Sequence, residues 1–184
     1  MKKFAVVFML VLCFGLFQVA SGQGMKLGIG GNLTMPQGDW KDCVNDIGFG
    51  GTAQFIYMVT PEIGVLAQAG YLMFGGKDID EGFYKYSYDI TAIPILAGAR
   101  YYFGAGEGPQ PFVGALVGIH MMSSDVEVEF MGQKTSESTS DTEFSFAPVV
   151  GVEVSSFDIS AFYMIISDAN YIGARVGFNF PLGQ

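Results

Sequence analysis

The chain has 184 residues, a formal net charge of −9 and two cysteines; half of its residues are hydrophobic and 15% are aromatic. The acidic balance argues against a nucleic-acid partner, which needs a basic surface, and the length suits one domain. So much apolar surface is unusual in a soluble acidic protein, and the pattern along the chain has to say where it goes.

The first segment reads as a secretory leader. Lys2 and Lys3 precede a continuous apolar run over residues 4–17, and Ala20-Ser21-Gly22 supplies small residues for cleavage before Gln23. The run is short for a membrane anchor and ends in small residues, which favours a cleaved signal peptide. The expected organisation is a leader over 1–22 and a single β-barrel domain over 23–184. Cleavage removes two lysines and Cys13, taking the charge to −11 and leaving Cys43 with no intrachain disulfide partner.

From residue 25 the side chains alternate with period two, the mark of a strand. In "MKLGIGGNLTM" Met25, Leu27, Ile29, Leu33 and Met35 share one face, and Lys26, Gly28, Gly30, Asn32 and Thr34 the other. The same alternation over 48–59 and 63–74, and further strands at 84–103, 111–123, 143–154, 157–167 and 171–182, make eight. No segment reads as a long amphipathic helix. "TPEI", "GAGEGPQ" and "SS" (155–156) are short turns. The intervening connections at 36–46, 75–82, 125–143 and 168–170 hold 13 of the 18 acids. Val126, Val128 and Phe130 alternate with acids, so the third of these is expected to prolong its two strands as a hairpin. Long loops on one rim and tight turns on the other predict an all-β fold: an eight-stranded antiparallel up-and-down transmembrane β-barrel.

A soluble ligand-carrying barrel of the lipocalin type is the alternative, and "GDW" (38–40) matches that family's Gly-x-Trp. One face of the strands, however, is Met, Leu, Ile, Val, Phe and Ala, and the other Gly, Ser, Thr, Asn, Gln and charges. That arrangement predicts an apolar belt toward lipid around a small-residue polar interior. Arg175, in "YIGARVGFNF", then belongs inside, because facing lipid near the midplane would cost about 2–4 kcal/mol. The same parity sends Lys26, Glu153 and Asp158 inward, and Arg100 with them if Pro94 introduces no bulge. The five predict a lumen ion-pair network that plugs the barrel. Tyr84, Tyr86 and Tyr88 at the long-loop end, and Tyr101, Tyr102, Phe103, Phe112 and Phe157 at the short-turn end, are expected as interfacial aromatic girdles.

The stretches "TPEIGVLAQAGYLMF", "IPILAGARYYFG", "PFVGALVGI" and "YIGARVGFNFPL" together resemble the outer-membrane β-barrel family of the OmpA/OmpX transmembrane type, over the whole mature chain. The resemblance implies a place in the bacterial outer membrane. It also implies a C-terminal strand read by the barrel-assembly machinery, through Tyr171, Gly173, Val176, Phe178 and Phe180, with Arg175, Gly177, Phe180 and Leu182 as a second register. Outer-membrane lipid and lipopolysaccharide, that machinery and an unidentified surface ligand are the expected partners, with no nucleic acid and a monomeric state.

No catalytic, cofactor or metal site is expected. The single histidine, His120, faces inward near the long-loop rim with Ser123 as the nearest serine in sequence, and reads as structural. Cys43 reads as incidental. "DIDEG" lacks the acids of an EF-hand loop, and "GIGGN" and "GFGGT" lack the third glycine and helix of a dinucleotide site. The expected function is that of a closed, plugged, non-enzymatic barrel with a structural or surface-interaction role through acidic extracellular loops. The alternatives are a narrow pore or transport channel, or an accessory barrel of a secretion or motility apparatus.

Overall fold

A computed structural model describes residues 24–38, 40, 44–76, 79–80, 84–104, 108–130, 133–167 and 169–182, with the backbone alone for 44–46, 76, 79–80, 84–89, 125–130 and 133–138. The leader, Cys43, most of "DIDEG" and the side chains of Tyr84, Tyr86 and Tyr88 therefore lie outside what is described. The strands are β1 (Met25–Pro36), β2 (Val44–Met58), β3 (Ile63–Gly76), a two-residue β4 (Ile79–Asp80), β5 (Tyr84–Tyr102), β6 (Gln110–Phe130), β7 (Gln133–Val154), β8 (Phe157–Ile166) and β9 (Tyr171–Leu182).

All pairings are antiparallel and run between chain neighbours, except for two that close the ring. β1 pairs β9 over its whole length, Met25 opposite Leu182 through Pro36 opposite Tyr171, and β3 pairs β5 from Ile63 opposite Tyr101 upward. The result is a closed barrel of eight long strands, with β4 laid along the upper part of β5. Closure removes the exposed sheet edges that an open sheet of this size would present.

Local chemistry sets the short-turn rim. Thr60 Oγ1 accepts the backbone N–H groups of Glu62 and Ile63, closing the turn from β2 to β3. Ser155, at φ 56°, supplies the left-handed residue that the two-residue turn from β7 to β8 requires. At the other rim the hairpin of β6 and β7 stays in register from Gln110 opposite Glu153 to Phe130 opposite Gln133, the prolonged hairpin that the alternation at 126–130 predicts.

Burial follows the period of two. On β9, Tyr171, Gly173, Arg175, Gly177 and Asn179 are buried, and Ile172, Ala174, Val176 and Phe180 exposed. β8 alternates in the same way, with Asp158 and Ser160 in and Ile159 and Ala161 out. The outward set is almost wholly apolar around the barrel, from Leu27, Ile29 and Leu33 through Ile95, Val117 and Val150 to Val176. Pro94 makes no bulge. The β3–β5 ladder skips Gly70 and Tyr71 beside it and resumes unshifted at Leu72 opposite Ala92, so Arg100 keeps the inward parity.

The lumen differs from the small, polar interior that composition suggests. Ile56, Leu66, Leu72, Phe74, Leu96, Leu116, Met164 and Ile166 all point inward and are buried. Tyr102 and Phe112 are also inward, each only 1% exposed, and so do not belong to a lipid-facing girdle, whereas Tyr101, Phe103 and Phe157 do face outward. The physical reason is packing. An eight-stranded barrel encloses just enough space for side chains, and glycines and hydroxyls alone would leave it hollow.

Candidate functional site

The lumen is organised in tiers, which β9 numbers from the long-loop end as Tyr171, Arg175 and Asn179. The middle tier centres on Asp158, wholly buried on β8. Its Oδ2 accepts Arg100 Nη1 from β5 at 2.5 Å, and its Oδ1 accepts Arg175 Nη1 from β9 at 2.9 Å. Gln54 on β2 completes the tier: its Oε1 accepts Arg100 Nη2 at 3.0 Å, and its Nε2 donates to Asn179 Oδ1 at 2.9 Å. Arg175 Nε donates to Thr52 Oγ1 at 3.0 Å, and Arg100 lies over the Phe112 ring, 4.4 Å from its centroid.

Arg175 fits there because the wall beside it carries no side chains. A Cβ on Gly30 would stand 2.8 Å from the guanidinium carbon, and one on Gly177 would stand 2.6 Å from Nη1 and Nη2. The glycines flanking Arg175 on its own and the neighbouring strand thus make the slot for its planar head.

Below this, toward the short turns, Lys26 pairs with Glu153. Glu153 Oε2 also accepts Asn179 Nδ2 at 2.9 Å and the Tyr102 hydroxyl at 3.4 Å. The five charged residues expected inside are therefore brought together as two ion-paired groups, Lys26 with Glu153, and Arg100 with Asp158 and Arg175. Gln54, Asn179 and Thr52 link and extend them. Those three were not singled out in the sequence, although they share its inward parity.

Above the middle tier the lumen turns aromatic. Trp40 sits 4.7 Å from Phe74 and 6.1 Å from Tyr171, ring centroid to centroid. His120, wholly buried, engages both ring nitrogens, Nδ1 with Ser145 Oγ and Nε2 with Tyr171 Oη, each at 2.8 Å. The serine beside the histidine is Ser145 on β7, not Ser123; His120 and Ser145 are both wholly buried, and the ring nitrogen opposite Ser145 is held by the Tyr171 hydroxyl instead of a carboxylate. Among the described residues no cluster of three His, Cys, Asp or Glu side chains is placed to hold a metal.

An apolar exterior, a charged and hydrogen-bonded interior, tight turns on one rim and extended strands on the other define a small β-barrel built to sit in an outer membrane. The chain belongs to the family described as the outer membrane protein beta-barrel domain, whose model matches residues 6–180. Among solved structures it is similar to Ail, the attachment invasion locus protein of Yersinia pestis, in complex with the heparin analogue sucrose octasulfate. Identity there is 16%, the alignment covers 86% of this chain and 99% of that one, and the TM-score is 0.60. Neisserial surface protein A follows at 13% identity, 86% and 98% coverage and a TM-score of 0.52. The outer membrane protein OprG of Pseudomonas aeruginosa stands at 14%, 86% and 96%, with a TM-score of 0.50. No curated protein sequence matches the chain. At these identities the solved structures establish the fold.

Proposed function

We propose that this protein is a closed, non-enzymatic barrel of the bacterial outer membrane that acts through its extracellular loops, the lumen charges serving as an internal plug. The observation that carries the reading is the crossing of the lumen by Asp158, whose carboxylate engages guanidinium groups from β5 and β9 at one level. A path for ions would have to part these pairs.

The surface role rests on strand length and charge. A transmembrane strand needs about 9–11 residues, whereas β6 and β7 have 21 and 22. At about 3.3 Å per residue and a tilt near 45°, β6 rises about 50 Å, roughly twice the ~25 Å apolar band. Its hairpin therefore stands well clear of the membrane. The long connections hold 13 of the 18 acids but only Lys41, Lys77 and Lys134 among the bases. Ail is bound to a polysulfated sugar; this chain's loops carry the opposite preference and favour a cationic partner, or divalent cations bridging to lipopolysaccharide phosphates. The C-terminal strand carries the assembly signal at Tyr171, Gly173, Val176, Phe178 and Phe180.

Two measurements test this. The purified protein in planar bilayers is expected to give no stable single-channel steps; regular steps in the unaltered protein would replace the plug with a pore. Vesicles carrying the protein are expected to bind an immobilised oligolysine peptide over heparin in a salt-dependent way. Preference for heparin would reverse the assignment of the loops.

A further inference from the structure

Between the charged middle tier and the aromatic upper tier lies a small cavity whose polar wall includes Asn32, Thr52, Gln68, Arg100, Ser160 and Arg175, with Tyr171 above and a mostly apolar remainder. Its room, about 20 Å³, is above the ~10–15 Å³ that one water requires and suits a small occupant such as a water or a monatomic ion.

Two independent features point to the charge of its occupant. The first is the balance of the tier. Arg100 and Arg175 share the single carboxylate of Asp158, while Lys26 is matched by Glu153. The tier thus holds one positive charge in excess, on side chains that are 2% exposed. A buried, unmatched charge is expensive, and a neutral water would leave it unmatched. The second is the hydrogen-bond count. Arg100 Nε and Arg175 Nη2, on two residues of the cavity wall, have no protein acceptor.

Asn32 supplies a further donor once its amide is turned over. Its Oδ1 is unpartnered, while its Nδ2 donates to Thr52 Oγ1 at 3.3 Å. That oxygen already accepts Arg175 Nε, so the hydroxyl's own proton has nowhere to go. Turning the amide over, an exchange of atoms of nearly equal size, lets Thr52 donate to Oδ1 and frees Nδ2. The cavity is then bordered by a freed Asn32 Nδ2 and by two arginines that carry an excess positive charge and one unpartnered N–H nitrogen each.

We infer that the lumen binds one halide ion, chloride under ordinary conditions, between Arg100 and Arg175. It completes the charge balance of the middle tier. The site is independent of whatever the loops recognise.

The decisive experiment is a crystal structure of the full barrel grown in bromide, with data at the bromine absorption edge. An anomalous peak in the cavity bounded by Arg100 and Arg175 is expected. An empty cavity, or density without anomalous signal, would mean water and overturn the inference. In solution, chloride is exchanged for gluconate, too large for the cavity, at constant ionic strength. The folding equilibrium constant of the barrel in vesicles should rise by up to about tenfold per tenfold increase in chloride once the site is saturating. Lys26→Met combined with Glu153→Gln, which removes the lower ion pair without changing the net charge of the lumen, should keep that dependence, and Arg175→Gln should lose it. Should Arg175→Gln fail to fold, the bromide map and the titration of that double variant decide alone. Equal stability of the unaltered protein in chloride and gluconate would also overturn the inference.

Discussion

Asp158→Asn is the most informative substitution, because its effect can be set against the removal of a partner. The change keeps the side chain's shape but deletes the only carboxylate of the middle tier. The two guanidinium groups then face a neutral amide, and the net charge of the tier's side chains rises from one to two. Leaving buried charge without its partner costs about 3–5 kcal/mol. Arg175→Met works in the other direction. It loses the hydrogen bonds to Asp158 and Thr52, but leaves Arg100 and Asp158 as a matched pair, for a cost of about 1–2 kcal/mol. The ordering is therefore a charge argument: losing the shared acid should shift the folding constant by more than two powers of ten, and losing one of the two bases by far less. Trp40 supplies the assay. It is the chain's single tryptophan, buried over Phe74 and Tyr171 at the long-loop end of the lumen. Its emission should report urea unfolding from phospholipid vesicles. If Asp158→Asn proves no more costly than Arg175→Met, the lumen is screened as water is, and the reasoning from burial fails.

Further outcomes follow from the same geometry. Gly177→Ala should destabilise the barrel by about 1–3 kcal/mol, the usual cost of overpacking, since its Cβ would stand 2.6 Å from a guanidinium held by Asp158 and Thr52. Gly31→Ala, which faces outward with its nearest atom 3.9 Å away, should be near neutral in the same titration. Tyr171→Phe removes the hydroxyl on His120 Nε2 and should cost about 1 kcal/mol, with a change in Trp40 emission before any unfolding. Val176→Lys places a cation on the lipid face beside Arg175 and should cost about 2–4 kcal/mol in vesicles. Phe180→Ala should lower the heat-modifiable band in outer-membrane fractions while the purified protein still folds in vesicles; loss of in vitro folding would make its role packing instead of recognition.

The sequence by itself determined the strands, their faces and the kind of environment each face meets. A period of two is a property of the extended backbone, so "YIGARVGFNF" already separates Arg175 from Ile172, Val176 and Phe180 without knowledge of any neighbour. It was equally sufficient for the hairpin at 126–130 and for the inward parity of Lys26, Glu153 and Asp158. It was weaker where both parities are apolar. In "IGVLAQAGYLMF" Leu66, Leu72 and Phe74 look as lipid-seeking as Val65 and Tyr71, and only the closed ring shows that they fill a lumen which glycine and serine could not. Tyr102 and Phe112 were misplaced for the same reason. Partnership was out of reach altogether. Arg100, Asp158 and Arg175 lie on three strands, the first two 58 positions apart; the registers from β5 through β9 set their levels, and closure of the ring by β1 with β9 and β3 with β5 turns β5 to face β8 and β9 across the lumen. His120 meets Ser145 across the β6–β7 ladder and Tyr171 across the lumen. Parity is fixed by each strand's own geometry, whereas register and closure are fixed by what the strands bury together, and that decision belongs to the barrel.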